Sequence, residues 1–266
     1  MAKRHWQFST ESIAFRSFHL VFLLAVFLFS SCTASYDRAD ATDIPYTRVL
    51  FMGNSYIYSN KLPNTFAELA KAGNHTVEVG MSAQAGWTLT HHVQSADTLD
   101  MLNSTKWDYV VLQEQSQIPA IPDDRTSRMY PAARILVQEI ESAGATPLFF
   151  LTWGHRRGLR RDGMPNYESM QAELNNGYYG IAEELNAPVA PVGIAWQTTV
   201  QEHPELTLWQ DDGSHPTVEG TYLAACVFYA VIFNESPVGL TYPEGLSSDT
   251  AEILQTIAAQ TVLDNP

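Results

Sequence analysis

The chain has 266 residues, of which 45% are hydrophobic and 17% are charged, and this composition excludes a disordered protein. It contains no fixed period and no low-complexity tract, which excludes a repeat architecture. The formal net charge of −14 repels phosphate backbones and anionic membranes, so we expect no nucleic-acid partner.

The N-terminus has the pattern of an export signal. Three basic residues precede an apolar run at 18–29, which is too short to span a bilayer comfortably, and the small residues SSCTAS follow. We therefore predict a signal peptide at 1–34. Cys32 stands where a bacterial lipoprotein carries its lipid, and that lipid would be the chain's one link to a membrane. Cleavage after Ala34 and retention as an anchor are the alternatives, and each leaves residues 35–266 outside the cytoplasm.

The polar stretch 35–46 predicts a tether, and 47–266 predicts a single domain. Cys226 lies in the apolar run YLAACVFYAVIF, which indicates a core residue and not half of a disulfide. The sequence has no CxxC and no HExxH, so we expect no metal and no other cofactor.

Beyond the tether, apolar runs alternate with amphipathic stretches. The runs rich in Val, Leu and Phe predict strands at 47–52, 76–83, 109–113, 145–153 and 187–193. The amphipathic stretches predict helices at 61–73, 88–102, 126–143, 167–186, 216–234 and 248–263.

This alternation predicts an α/β protein in which a parallel sheet lies between layers of helices. The central strands lack polar alternation, which is typical of strands covered on both faces. In such sheets the binding crevice lies beyond the carboxyl ends of the strands. We therefore expect the functional residues directly after each strand.

The stretch LFMGNSY places Ser55 at the end of the first strand, after Gly53 and Asn54. The glycine permits a tight turn, and the serine is a candidate nucleophile if a base lies within hydrogen-bond reach. An ordinary turn is the alternative interpretation.

A second candidate segment is DDGSHPT at 211–217. Asp212 and His215 are three residues apart, so a turn can fold the carboxylate onto the imidazole and fix its tautomer. Asp211 is the neighbouring candidate, but the spacing favours Asp212. Thr217 is placed to cap the next helix. An Asx-turn beside a surface histidine is the other interpretation.

Taken together, the two segments resemble the first and last sequence blocks of the SGNH or GDSL-type hydrolases. Gly53-Asn54-Ser55 matches a G-D-S or G-N-S first block, and Asp212-Gly213-Ser214-His215-Pro216 matches a D-x-x-H-P last block. The resemblance spans 48 to about 237. It implies a three-layer α/β/α sandwich with five parallel strands in flavodoxin-like order, and a triad of Ser55, His215 and Asp212.

The resemblance also implies an oxyanion hole made by the main-chain N–H groups of Ser55 and Gly86 and by an amide side chain. The usual G-x-N-D third block is replaced here by Gln113-Glu114-Gln115-Ser116. Direct register assigns the amide to Gln115. A Q-G-E-S block, as in some carbohydrate acetylesterases of this superfamily, assigns it to Gln113, which we favour because the first residue past the strand is best held.

Four further residues beside the predicted site are candidates for substrate contact: Asn54, Trp87, Trp153 and His155. For the aromatic side chains, packing in the core or a lid is the alternative. His91 and His92 are expected on the surface or at the rim, and 193–196 is expected to pack without a chemical role.

The resemblance implies an exported serine ester hydrolase, and the glutamine-containing block favours short-acyl, acetyl esters of carbohydrates. The partner would then be a small-molecule or glycan ester. Two alternatives stay open. One is a non-catalytic carbohydrate-binding or surface lipoprotein on the same fold, and the other is an acyltransferase that uses the same triad.

Overall fold

A computed structural model describes residues 46–241 and 245–264 of the chain. The predicted signal peptide with Cys32, and all of the predicted tether except Tyr46, lie outside the described residues. None of the described helices has both the length and the apolar character needed to cross a bilayer.

Five strands form one parallel sheet in the order β2-β1-β3-β4-β5. This order is the flavodoxin-like one, so the predicted fold class is confirmed. The strands are β1 (Tyr46–Gly53), β2 (Thr76–Ala83), β3 (Tyr109–Leu112), β4 (Thr146–Phe150) and β5 (Val189–Ala190).

Helices follow the strands along the chain and cover both faces of the sheet. They are α1 (Ser55–Tyr58), α2 (Leu62–Ala72), α3 (Leu89–Gln94), α4 (Ala96–Ser104), α5 (Pro122–Asp124), α6 (Tyr130–Ser142), α7 (Tyr167–Leu185), α8 (Val192–Glu202), α9 (Val218–Phe233) and α10 (Ser248–Leu263).

Alternate residues of β1 point to opposite layers of the core. Val49 and Phe51 belong to the cluster formed with α2, α8, α9 and α10. Leu50 and Met52 belong to the cluster formed with α3, α6 and α7. The apolar run 49–52 of β1 is therefore buried on both faces, as its sequence predicts. Cys226 on α9 is fully buried in the first cluster, which confirms that it is a core residue.

The last two strands are shorter than predicted. β4 ends at Phe150 instead of 153, and β5 comprises two residues instead of the span 187–193. Pro191 has no N–H to donate to a strand partner, and α8 begins at the next residue. No predicted helix covers 192–202, so α8 is an element that the sequence pattern does not reveal.

Two predicted helices are divided. The stretch 88–102 breaks at Ser95, which has an extended backbone and whose side chain caps α4 by accepting from the N–H of Thr98. The stretch 126–143 begins with a π-helical turn at Arg125–Met129 and becomes α-helical at Tyr130. The Ser95 cap shows one physical reason why periodicity alone misplaces helix ends, because a side chain that binds the main chain can end a helix inside a periodic stretch.

Candidate active site

A crevice of about 420 Å³ opens at the carboxyl ends of the strands. The residues around it come from the loops after β1, β2, β3 and β4 and from the segment before α9. They are Asn54, Ser55, Tyr56, Tyr58, Ala85, Gly86, Gln115, Ser116, Gln117, His155, Ser214 and His215. Segments far apart in the chain thus meet at the place where the topology predicts a site.

Ser55 begins α1 directly after β1. Asn54 caps this helix, because its Oδ1 accepts from the N–H of Tyr56 at 3.2 Å. Gly53 has no positive φ. A side chain there would instead collide with Gln113 and Ile57, so the glycine is needed for close packing and not for the tight turn that the sequence predicted. The nucleophile candidate is therefore held by the packing of β1 against the third-strand loop.

The structure brings Ser55, His215 and Asp212 into one hydrogen-bonded chain. The Oγ of Ser55 lies 2.9 Å from Nε2 of His215, and Nδ1 of His215 lies 2.5 Å from Oδ2 of Asp212. An ionised carboxylate has no proton to give, so Nδ1 donates to Asp212 and Nε2 is left to accept from the Ser55 hydroxyl. This arrangement is the geometry that activates a serine hydroxyl.

The turn at 212–215 fixes Asp212 against the imidazole. Oδ1 of Asp212 accepts from the N–H groups of Ser214 and His215 at 2.9 and 3.0 Å, and Gly213 supplies the left-handed backbone at φ +72°. Burial opposes ionisation of Asp212. The hydrogen bonds from the His215 ring and from these two N–H groups outweigh burial and lower its pKa to about 2. Asp212, and not its exposed neighbour Asp211, is the carboxylate on His215.

Two main-chain donors predicted from the sequence lie on the crevice beside the serine. Gly86 has φ +70°, a conformation that favours glycine, and both Gly86 and Ser55 line the crevice. Within the described residues, no acceptor pairs with the main-chain N–H of Ser55 or Gly86. These N–H groups are therefore available for an oxyanion.

The structure does not favour Gln113 as the amide donor. Gln113 is fully buried, and both ends of its side chain bind main chain. Its Oε1 accepts from the N–H of Asn54 at 2.8 Å, and its Nε2 donates to the carbonyl of Glu114. Gln115 lines the crevice instead, and its Oε1 accepts from the N–H of Gln117 at 2.9 Å. No described residue accepts from Nε2 of Gln115, so the geometry favours Gln115.

Trp153 is not a surface for substrate, which corrects the sequence prediction. Its ring is almost fully buried and is stacked between Tyr56 and Trp196, with centroid distances of 4.6 and 4.0 Å. Its Nε1 donates to the carbonyl of Ser214 at 2.9 Å. Trp153 therefore supports, from the buried side, the loop that carries His215.

Asn54 and Trp87 are also engaged within the protein. Nδ2 of Asn54 donates to the carbonyl of Trp87 at 2.9 Å, so both ends of the buried Asn54 side chain have main-chain partners. The Trp87 ring packs on His91 and His92 and is not among the crevice residues. Both residues hold the loop of Gly86. Trp87 lies off the crevice, which differs from the sequence prediction, whereas Asn54 lines the crevice with its side chain bound to main-chain groups.

His155 lies on the crevice, as predicted. Its Nε2 is 3.0 Å from Oγ of Ser116 and 3.1 Å from Oγ of Ser214, and the Tyr56 hydroxyl is 2.7 Å from the same Ser214 oxygen. Burial lowers the pKa of His155. This histidine is therefore part of a network of hydroxyl groups that forms one wall of the crevice.

The prediction that His92 lies at the surface or rim is wrong, whereas His91 is exposed. His92 is fully buried, and its Nε2 is 2.9 Å from the carbonyl of Gly53. Its Nδ1 is 3.3 Å from the hydroxyl of Thr98. Burial lowers the pKa of His92 to about 4, so the ring is neutral and donates from Nε2.

Asn60 and the side chain of Glu114 have no role among the predictions from the sequence. Nδ2 of Asn60 lies 2.9 Å from the carbonyls of Pro216 and Thr217 and from the Thr221 hydroxyl. No local signal reveals such contacts, because the partners are more than 150 residues away in the chain.

The predicted cap at Thr217 is confirmed, since its Oγ1 accepts from the N–H of Gly220. Within the described residues, no group of three or more His, Cys, Asp or Glu side chains is placed to hold a metal ion.

The structure is similar to several solved structures. One is a DUF4886 family protein from Bacteroides uniformis, 21% identical, with a TM-score of 0.69 over 82% of this chain and 95% of that one. Another is a protein from Slackia heliotrinireducens named as a candidate SGNH hydrolase, 28% identical, with a TM-score of 0.60 over 70% and 98%. A third is the acetyl xylan esterase AlAXEase, 12% identical, with a TM-score of 0.55 over 70% and 99%.

No family model and no curated protein matches the chain. The five-stranded parallel sheet with helices on both sides is the fold of the SGNH hydrolases. The chain therefore has the fold that its first and last sequence blocks predict.

Proposed function

We propose that the protein is an exported serine ester hydrolase that acts on short-acyl esters of carbohydrates. The observation that carries this proposal is the hydrogen-bonded chain from Ser55 through His215 to Asp212, at a crevice where N–H groups lack partners within the described protein. A fold alone does not define a function, so the proposal rests on these groups. The similarity to an acetyl xylan esterase and to an acetyl-xylooligosaccharide esterase supports the ester class.

In the proposed reaction, Oγ of Ser55 attacks the ester carbonyl and Nε2 of His215 takes the hydroxyl proton. Asp212 stabilises the imidazolium that forms. The N–H groups of Ser55 and Gly86, with the amide of Gln115, bind the oxyanion, and each such donor contributes about 3 kcal/mol where it has been measured.

The tetrahedral intermediate then collapses. The C–O bond to the alcohol breaks, and the alcohol leaves with the proton from His215. Water attacks the resulting acyl-enzyme by the same route and gives its proton to His215. Cleavage of the bond to Ser55 releases the carboxylic acid and restores the serine hydroxyl.

The lining of the crevice supports a short acyl group and a polar alcohol. Among the crevice residues, the aliphatic side chains are no larger than that of Ala85, and the remainder are polar groups, Gly86 and two tyrosines. A long acyl chain needs a channel lined by large aliphatic side chains, and none lies among the crevice residues. Tyr56, Ser116, His155 and Ser214 offer a hydrogen-bonding wall suited to a sugar.

The test is acetate release by the full chain from p-nitrophenyl acetate and from acetylated xylooligosaccharides, with butyryl and octanoyl esters for comparison. We expect acetyl esters to be preferred. A fluorophosphonate should label the protein and abolish its activity. We expect Ser55→Ala to lower kcat by a factor on the order of 10⁶ and to prevent labelling.

Ser142→Ala is the matched control, because Ser142 is exposed at the end of α6. It should retain the activity of the unaltered chain. Hydrolysis that survives Ser55→Ala would exclude the proposed triad. A chain inert to both the ester and the fluorophosphonate would favour the binding protein, and acetyl transfer to a sugar in place of release would favour the acyltransferase.

A further inference from the structure

Glu114 carries a fully buried carboxyl group beside the candidate active site that the proposed chemistry does not use. It follows β3 directly and lies between Gln113 and Gln115 in the chain. A carboxyl group withdrawn from water is costly unless its oxygens accept hydrogen bonds. Its partners therefore indicate its role.

The carboxyl group of Glu114 joins two loops. Its Oε1 accepts from the N–H of Gln115 at 2.6 Å, and both oxygens lie 3.3 Å from the N–H of Leu89. Leu89 is the first residue of α3 and follows Gly86 by three residues. Its N–H has no acceptor within its own helix, because the first turn of a helix has none. One side chain thus connects the loop of Gly86 to the loop of Gln115.

The main-chain N–H and carbonyl of Glu114 also have hydrogen-bond partners. Its N–H donates to the hydroxyl of Tyr178 on α7 at 3.2 Å, and its carbonyl accepts from Nε2 of Gln113. Burial raises the pKa of Glu114 to about 7. The N–H groups of Gln115 and Leu89 and the positive charge of Arg128 oppose that rise. The carboxyl group is thus buried at a cost in free energy, and what it supplies at this point is an acceptor for the N–H groups of Gln115 and Leu89.

The two loops carry the groups proposed to bind the oxyanion. Such donors are effective only when they are preorganised around one point. Gly86 is exposed, and a Cβ at this position would meet no atom within 4 Å, so its own surroundings do little to position it. The contacts to its neighbours hold the loop, through Nδ2 of Asn54 at Trp87 and through Glu114 at Leu89.

We propose that Glu114 is a positioning residue for the oxyanion hole. Its carboxyl group holds the Gly86 loop against the Gln115 loop through its hydrogen bonds to Leu89 and Gln115, a connection called the clasp below, so that the donors of both loops converge beside Ser55. The role in catalysis rests on the proposed function, whereas the clasp itself is a property of the fold. The residue acts through Leu89 and Gln115 and does not touch the substrate.

Two substitutions of similar length separate the acceptor from the charge and the volume. Glu114→Met keeps the length and removes both acceptor oxygens. Glu114→Gln removes the charge but keeps Oε1, which is the oxygen within reach of both N–H groups. Glu139→Ala on α6 is the control, because Glu139 is exposed.

We expect Glu114→Met to lower kcat for p-nitrophenyl acetate by about 10²-fold with little change in KM, because the donors would be misplaced by about 1 Å. Glu114→Gln should restore most of kcat, and Glu139→Ala should retain all of it. In amide hydrogen exchange, Leu89 and Gln115 should be protected in the unaltered chain and in Glu114→Gln, and should exchange faster in Glu114→Met.

Each result bears on the inference. An unchanged kcat in Glu114→Met, or unchanged protection of both amides, would overturn it. If Glu114→Met does not fold, rapid exchange of the Leu89 and Gln115 amides in the unaltered chain would overturn it equally. Absence of any Ser55-dependent hydrolysis would defeat the proposed function alone, because the exchange experiment tests the clasp without activity.

Discussion

At the scale of single residues, the carboxylate of Asp212 determines which nitrogen of His215 carries the proton. It accepts from the ring and from two main-chain N–H groups, and it stays ionised far into acid because these bonds lower its pKa to about 2. A stable negative charge beside Nδ1 keeps that nitrogen protonated and leaves Nε2 facing the hydroxyl of Ser55.

We predict that Asp212→Asn lowers kcat by about 10²- to 10⁴-fold, because an amide N–H beside Nδ1 moves the ring proton to Nε2. The steady-state rate of ester hydrolysis near neutral pH measures this effect. Asp211→Asn is the matched control, since the exposed neighbour makes no bond to His215 within the described residues. Equal rates in the two variants would show that Asp212 does not orient the histidine.

At the scale of elements, Asn60 ties the segment after α1 to the segment before α9. Asn60 and Lys61 both have left-handed backbones, at φ 49° and 58°, which is unfavourable for residues other than glycine. The Asn60 amide offsets this cost with contacts of 2.9 Å to Pro216, Thr217 and Thr221. The elements that carry Ser55 and His215 are therefore fixed to each other by a side chain outside the triad.

We predict that Asn60→Ala destabilises the fold by about 2 to 4 kcal/mol, of which about 1 to 3 kcal/mol comes from the lost hydrogen bonds. Asn186→Ala is the control. Asn186 has the same φ of 49° at the end of α7, and among the described residues its side chain makes no hydrogen bond. Urea unfolding of both variants gives the difference. Equal losses of stability would show that the Asn60 amide contributes nothing.

At the scale of the whole molecule, two buried titratable groups link the stability of the fold to pH with opposite signs. Burial lowers the pKa of His92 from 6.5 to about 4, so the unfolded chain binds the proton more readily and stability falls as the pH falls through this range. Burial raises the pKa of Glu114 from 4.5 to about 7, so its contribution to stability is lost as the pH rises. The two effects partly cancel in the unaltered chain.

We predict that His92→Gln exposes the first effect. The stability of the unaltered chain relative to this variant should fall by about 3 kcal/mol between roughly pH 7 and pH 4, since His92 must gain a proton on unfolding. Urea unfolding of both proteins across this range measures the difference, and the contribution of Glu114 cancels in the subtraction. A difference that does not vary with pH would mean that His92 is not held neutral by burial.

Prediction from the sequence succeeded where the signal was local or repeated. Strand β2 and helix α10 have the predicted bounds, because turn residues and polar caps stop them at both ends. Strand β5 was predicted too long, because the apolar stretch 187–193 does not show which of its residues find a partner strand. Helix α8 was missed because its apolar residues do not line up on one face of the helix. That alignment is the pattern that predicts an amphipathic helix.

The candidate site also has some residues that local sequence predicts and one that it does not. The spacing in DDGSHP brings Asp212 to His215 through local geometry alone, and the order of strands and helices predicts that Ser55 lies at the same edge of the sheet. The amide donor could not be chosen in this manner. Gln113 and Gln115 have the same chemistry, and only the packing of β1 against the third-strand loop turns one inward and leaves the other on the crevice.

By itself, the sequence determined the fold class, because apolar runs and amphipathic stretches show which residues are buried when the chain folds. It also determined the candidate serine, histidine and aspartate, because each lies in a short motif with its own local geometry. Only the tertiary structure decided that Trp153 and His92 are buried, that Gln113 is buried while Gln115 lines the crevice, and that Glu114 and Asn60 join distant loops. These roles depend on contacts between segments far apart in the chain, and such contacts leave no local pattern in a single sequence.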